Sequence, residues 1–335
     1  MRSIMIFAIC ISLLSVPCAQ GQEVGSDLLG HGVLPISVPA QTSGLVSSRK
    51  PDGLILSTGN VYFTSHDAAG ATVWRTGQNS SPGQEGILYW EPGAIFGDIT
   101  FAQVGGVFFG YFFAKKGGVI TIKRVPLAGG DATILATVTN VDVANSHRNL
   151  VADGVQLFWQ DDRAVRRMPI GGGTISVLDL TSPNTPTAGL ALQVENLIYA
   201  SGNVIHFVQK SGAGTTGPSV RIIATASSRV TALFAVSNGI YWGEQSGAFR
   251  LKVGSTTTTL ASTPGLVPTS ISTNGFTAGA AQALTQCGSQ LCRLQFDFPV
   301  INSSMAISTD ALGVTVTSSG NVFWGDATGV HRRVF

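Results

Sequence analysis

The sequence predicts an all-β fold made by repeating one four-stranded antiparallel unit, and three observations carry that expectation. The first is composition: of 335 residues 41 are glycine and 44% are hydrophobic, while only 11% are charged. A chain rich in Gly, Ser, Thr and Val and poor in Glu and Lys favours strands and turns over long helices. The second is patterning, since apolar residues alternate or run as short β-branched and aromatic stretches rather than recurring at helical spacing. The third is internal repetition: one short phrase returns seven times.

Taken from the N-terminus, Met1-Arg2 supplies a positive start, Ile4 to Val16 an apolar run of about thirteen residues, and Pro17 a break before the small residues Ala19 and Gly21. The run is shorter than the roughly 20 residues a membrane-spanning helix needs. Residues 1–21 therefore read as a signal peptide, with cleavage after Gly21 favoured over cleavage after Ala19 or lipidation at Cys18. Residues 22–335 form one domain, secreted or periplasmic. Cys10 and Cys18 leave with the leader, so Cys287 and Cys292 are expected to form a disulfide across a small hairpin.

The repeated phrase is a turn pair, an aliphatic residue and two usually aromatic positions. Its copies are Gly59-Asn60-Val61-Tyr62-Phe63, Gly105-Gly106-Val107-Phe108-Phe109, Asp153-Gly154-Val155 running into Phe158-Trp159, Gly202-Asn203-Val204-Ile205-His206, Asn238-Gly239-Ile240-Tyr241-Trp242, Asn274-Gly275-Phe276-Thr277-Ala278 and Gly320-Asn321-Val322-Phe323-Trp324. They end at 63, 109, 159, 206, 242, 278 and 324, giving steps of 46, 50, 47, 36, 36 and 46. Each step suits one four-stranded blade, so the expected fold is a seven-bladed β-propeller.

A second phrase places an arginine between apolar neighbours in each copy: Arg75, Arg124, Arg167, Arg221, Arg250, Arg293 and Arg332. Trp159 and Arg167, Trp242 and Arg250, and Trp324 and Arg332 stand eight residues apart, which predicts stacking across a hairpin. Packing within the repeat is favoured over a ring of arginines around an anion. Because the chain ends at Phe335 directly after a third strand, the last blade is expected to borrow its outer strand from Val33–Val38, and Gly53–Ser57 to begin the first blade.

Phe158-Trp159-Gln160-Asp161, Tyr241-Trp242-Gly243-Glu244 and Phe323-Trp324-Gly325-Asp326, with Arg124-Val125-Pro126-Leu127-Ala128-Gly129-Gly130, resemble the YWTD-type β-propeller repeat. The resemblance is nearest to extracellular bacterial propeller proteins. It implies an architecture and no particular activity.

Turns joining second to third strands should bring His66, Asp67, Lys115, Lys116, Asp161, Asp162, Glu244 and Asp326 to one face. Asp161, Glu244 and Asp326 share a register that could hold Ca²⁺, although bracing of their own hairpins is favoured. No metal or cofactor is assigned. The histidines are scattered, no nucleophile elbow is present, and Gly171-Gly172-Gly173-Thr174 lacks a phosphate-loop lysine. A net charge of +2 provides no basic stripe for nucleic acid. The expected function is a monomeric, non-catalytic module binding a protein or glycan. The alternative is a lyase or glycoside hydrolase working from the channel mouth through His66, Asp67 or paired carboxylates.

Overall fold

A computed structural model describes residues 44–57, 59–143, 149–181, 188–211, 220–262, 267–273, 283–287, 290–295, 300–306, 312–316, 321–326 and 328–333, with backbone alone for the strands between 269 and 316. The leader, Val33–Val38 and Asn274–Ala278 lie outside these residues.

The first strand, β1 (Gly44–Ser47), precedes blade 1, which comprises β2 (Gly53–Ser57), β3 (Asn60–His66), β4 (Gly70–Gly77) and β5 (Gly86–Pro92). Blade 2 comprises β6 (Ala94–Val104), β7 (Val107–Lys116), β8 (Val119–Pro126) and β9 (Thr133–Val138). Blade 3 comprises β10 (Leu150–Ala152), β11 (Gln156–Gln160), β12 (Ala164–Pro169) and β13 (Ser176–Leu180). Blade 4 comprises β14 (Leu190–Gln193), β15 (Asn196–Ser201), β16 (Val204–Gln209) and β17 (Val220–Thr225). Blade 5 comprises β18 (Val230–Val236), β19 (Gly239–Glu244), β20 (Ala248–Val253) and β21 (Thr256–Ser262). Blade 6 comprises β22 (Pro268–Thr273), β23 (Ala283–Cys287), β24 (Gln290–Gln295) and β25 (Val300–Ala306). Finally, β26 (Leu312–Val316), β27 (Val322–Asp326) and β28 (Gly329–Arg333) pair in order, and β1 completes their sheet.

Six sheets are thus built from four consecutive strands, and a seventh is a composite of the two ends of the chain. First strands touch in the closed cycle β2, β6, β10, β14, β18, β22, β26 and back to β2. This cycle defines a propeller. Its core lies between blades rather than within them. Tyr62, Val73 and Leu88 of blade 1 meet Phe96, Ile99 and Phe112 of blade 2, and Phe113 and Ile122 meet Leu157 and Trp159 of blade 3. A sheet buried on both faces explains why the central strands read as apolar runs, as in Val322-Phe323-Trp324. Every pairing of third with outer strand shifts register, at one equivalent point in six blades and two residues later in blade 6, between Arg293 and Leu294; the bulge turns the exposed edge away from further pairing.

The expected closure is corrected: the outer strand of the composite blade is β1, with Leu45 opposite His331 and Ser47 opposite Val330, rather than Val33–Val38. Alternation decides the assignment, because Val46 is buried against Phe63, Phe323 and Val330 while Leu45 faces outward. Ser48–Asp52 then leads directly into β2, the kind of short outer-to-inner connection that Gly93 makes between β5 and β6. Two repeat phrases were also misassigned. Gly202–His206 spans the turn into the third strand of its blade, whose second strand is β15; the second strand of blade 6 is β23. Glycine-turn phrases introduce third strands as well as second ones, so the phrase alone does not identify the strand.

Cys287 stands opposite Gln290, and Cys292 opposite Thr285. The cysteines are therefore diagonal neighbours, about 7–8 Å apart at Cα, beyond the usual disulfide span. The expected disulfide is not formed.

Candidate functional site

In a four-stranded meander the turns between second and third strands lie at the same end as the connections from outer strand to next first strand. His66, Asp67, Lys115, Lys116, Asp161, Asp162, Glu244 and Asp326 all fall on this upper end. Beneath its surface each described blade repeats one arrangement. An aromatic ring on the second strand faces a polar or aromatic side chain on the third: Phe63 opposite Trp74, Phe112 opposite Lys123, Trp159 opposite Arg166, Tyr199 opposite His206, Trp242 opposite Arg250 and Trp324 opposite His331.

The expected tryptophan–arginine pairs hold only for Trp242 and Arg250. Trp159 faces Arg166 and Trp324 faces His331, while Arg167 and Arg332 lie opposite Phe158 and Phe323 on the other face of their sheets. The turn after Trp159 or Trp324 contributes one residue fewer to the spacing than the turn after Trp242, so equal separation did not mean equal register. His331 stacks on Trp324 with centroids 5.2 Å apart, and His206 on Tyr199 at 4.9 Å.

The carboxylate two residues beyond the ring completes the arrangement. Glu244 is fully buried and accepts bonds from Trp242 Nε1 at 3.1 Å, Arg250 Nε at 2.5 Å and the Ser227 hydroxyl. Asp326 accepts from the Thr328 backbone at 2.7 Å and contacts His331 Nε2 at 2.9 Å. Asp161 accepts from the Arg163 and Ala164 backbones at 2.9 and 2.8 Å and pairs with Arg166. Burial raises the Glu244 and Asp326 carboxyls, but the hydrogen bonds each accepts outweigh it and leave both below the ordinary carboxylate range. Each acid braces its hairpin and is met by a side chain of its own third strand, Arg166, Arg250 or the His331 ring. Among the described residues no three potential metal ligands come together.

Blades 2 and 4 have Ala114 and Ser201 at the acid position, and each takes a carboxylate from the preceding blade's outer strand. Glu91 pairs with Lys123 at 2.5 Å, and Asp179 accepts the Tyr199 hydroxyl. Blade 1 substitutes Ser65, which accepts from Trp74 Nε1 at 2.8 Å while Arg49 lies 3.8 Å over the indole. Glu91 and Asp179 escaped prediction because their partners are supplied by another blade, which a search within single repeats does not connect.

The arginine phrase divides into different roles. Arg75, Arg167 and Arg332 donate to Leu127 O at 3.5 Å, Lys210 O at 2.6 Å and Gln78 O at 2.9 Å. Each acceptor is the residue just past the third strand of the following blade, so these arginines clamp neighbouring blades. Arg124 lies 4.9 Å over Phe109, and Arg221 sits on an exposed outer strand rather than a third strand. Arg293 is on β24, with its side chain outside the described residues. Replacing Arg167 with Ala should cost about 1–3 kcal/mol in chemical denaturation, since it removes a charged donor from a half-buried carbonyl.

His66 and Asp67 do not act as a pair. Asp67 caps its turn through Ala69 N at 2.8 Å and Gly70 N at 3.2 Å, whereas His66 Nδ1 meets Asp52 Oδ2 at 2.6 Å. Asp52 went unrecognised because it lies fourteen positions away on the connection into β2. Asp162 is half-buried, and its backbone donates to Asn140 O at 3.1 Å.

No family model and no curated protein matches the chain. Among solved structures it is similar to U3-55K (13% identity, 89% of this chain and 99% of that one, TM-score 0.64). It is also similar to a chain of the mitotic checkpoint complex (13% identity, 96% and 100%, TM-score 0.64) and to the WD40 β-propeller domain of Doa1 (12% identity, 87% and 96%, TM-score 0.61). At these identities the likeness establishes the β-propeller fold.

Proposed function

We propose that the protein is a binding or scaffolding module whose upper face docks a protein partner. The observation that carries this reading is the commitment of Asp161, Glu244 and Asp326 to Arg166, Arg250 and the His331 ring of their own hairpins, which leaves the exposed turn residues, rather than a carboxylate pair, as the chemistry presented to solvent. The rigid layer beneath holds those turns in place, as recognition requires. The apolar run after Met1-Arg2 and the YWTD-like phrases support export, and we read the chain as a secreted monomer. A catalytic reading has one contact in its favour: Asp52 orients His66 through Nδ1, and the ring is 38% exposed.

Full-length chain carrying a photo-crosslinker at Arg163 on the upper face or at Glu195 on the lower turn β14–β15 separates these readings. Protein adducts from position 163 that excess unlabelled chain competes away, with none from 195, are expected. Equal adducts from both faces, or glycan turnover abolished by His66→Ala, would overturn the docking reading.

A further inference from the structure

The two ends of the propeller differ in exposed charge. Among the described residues the upper end exposes Arg49, Lys50, Lys115, Lys116, Arg163 and Arg229, against the exposed acids Asp67 and Asp142. The lower end balances the exposed Arg75 and Arg221 with the exposed Asp131 and Glu195 and pairs Asp153 with Lys210 at 3.1 Å, so the excess of positive charge lies on the upper end. A net charge of +2 conceals this polarity. Lys115, Arg163 and Arg229 form no ion pair with a carboxylate among the described residues, so each retains its field for an incoming partner.

Beside these cations the upper ends of two outer strands expose large apolar side chains. Trp90 is 51% exposed on β5, opposite Thr72, and Leu180 is 76% exposed on β13, opposite Ala164. The positions are equivalent, each at the far end of its outer strand from the bulge. Each has a cation at hand: Lys116 lies 3.7 Å from Glu91, next to Trp90, and Arg163 O accepts the backbone of Thr181, next to Leu180. Two corners of one face thus repeat an apolar side chain beside a positive charge.

We propose, on the docking reading above, that this face receives an acidic polypeptide segment carrying apolar side chains. The cations draw the acidic groups, and Trp90 and Leu180 provide the desolvated contacts that account for most binding energy at interfaces. A polypeptide fits better than a sulfated glycan for two reasons. An aliphatic side chain such as Leu180 offers a sugar ring no stacking surface, and the cations are distributed in ones and twos over several blades rather than in one contiguous stripe.

Fluorescence anisotropy on the full chain tests this with three labelled probes: a peptide alternating Glu with Leu and Phe, its Glu→Lys counterpart, and a heparin oligosaccharide. The acidic peptide should bind saturably and more weakly as salt rises, and the Lys peptide should not bind. Joint substitution K115E, R163E and R229E should weaken the acidic peptide about 30-fold, and Trp90→Ser about tenfold, with melting curves unchanged because all four side chains are exposed. Equal binding of both peptides, binding of heparin alone, or affinity unmoved by the charge reversals would overturn the proposal. Crosslinking from position 163 without acidic-peptide binding would remove this inference and leave the docking reading standing; loss of both results would remove both.

Discussion

A chain beginning at Ser48 should melt about 10 °C below one beginning at Gly44, because the four residues between them are the whole outer strand of the composite blade. Their removal exposes Val330 and the edge of β28, takes Val46 out of the core and breaks the backbone pairing that joins the chain ends. Burial of one valine contributes about 2 kcal/mol and each net hydrogen bond about 1, so a loss of about 3–5 kcal/mol is expected. Gly329 offers a second approach to the seam. Its φ of +142° suits glycine, and an added Cβ would stand 1.9 Å from Ser47 O. Gly329→Ala should therefore destabilise the chain that starts at Gly44 by about 3–5 kcal/mol, by strain and by expelling β1. In the chain that starts at Ser48 the clash with Ser47 is gone, and the same substitution should cost less, retaining only the strain of the positive φ and the 3.0 Å approach to Ser48 Cα. Coincident unfolding curves for the two chain lengths would show that β1 does not close the propeller.

What the sequence made legible follows the range of each interaction. The β-branched and aromatic runs of β11, β19 and β27 lie inside single hairpins, so their strands, and the Trp242–Arg250 pair, could be read directly. A one-residue difference in turn length defeated the same reasoning at Trp159 and Trp324, because a register slip moves a side chain to the other face. Closure by β1 was legible in kind, since a blade ending at its third strand needs a fourth, but Gly44–Ser47 is shorter and less apolar than Val33–Val38. Relations that cross between blades left no local trace. Arg167 reaching Lys210 O and Glu91 completing the Lys123 site join segments whose proximity exists only once the sheets are packed, whereas Asp52 meets His66 across the ends of one hairpin, fourteen positions apart in sequence. The acid register was visible as a motif, while its role depended on where the neighbouring cations stand.

Glu244→Gln should cost about 2–4 kcal/mol at neutral pH and progressively less in acid. The carboxylate is 0% exposed and satisfies the Trp242 indole, the Arg250 guanidinium and the Ser227 hydroxyl together. The amide retains the volume and one acceptor oxygen, but leaves a 25% exposed guanidinium without its counter-charge and places an extra donor against other donors. Burial alone would raise the carboxyl, yet the bonds from Ser227, Trp242 and Arg250 outweigh it and bring it below its ordinary value. A depressed folded-state pKa favours folding while pH exceeds the unfolded-state value of about 4.3, and that contribution fades as pH falls through the folded-state value. The stability difference between wild type and E244Q, followed by urea denaturation from pH 7 downward, should hold steady to about pH 5 and then narrow. Asp326, depressed for the same reasons and paired with His331, remains in both proteins and cancels from the comparison. A difference that stayed constant into strong acid would mean that Glu244 acts through shape rather than charge, and the ion-paired layer beneath the upper face would lose its electrostatic basis.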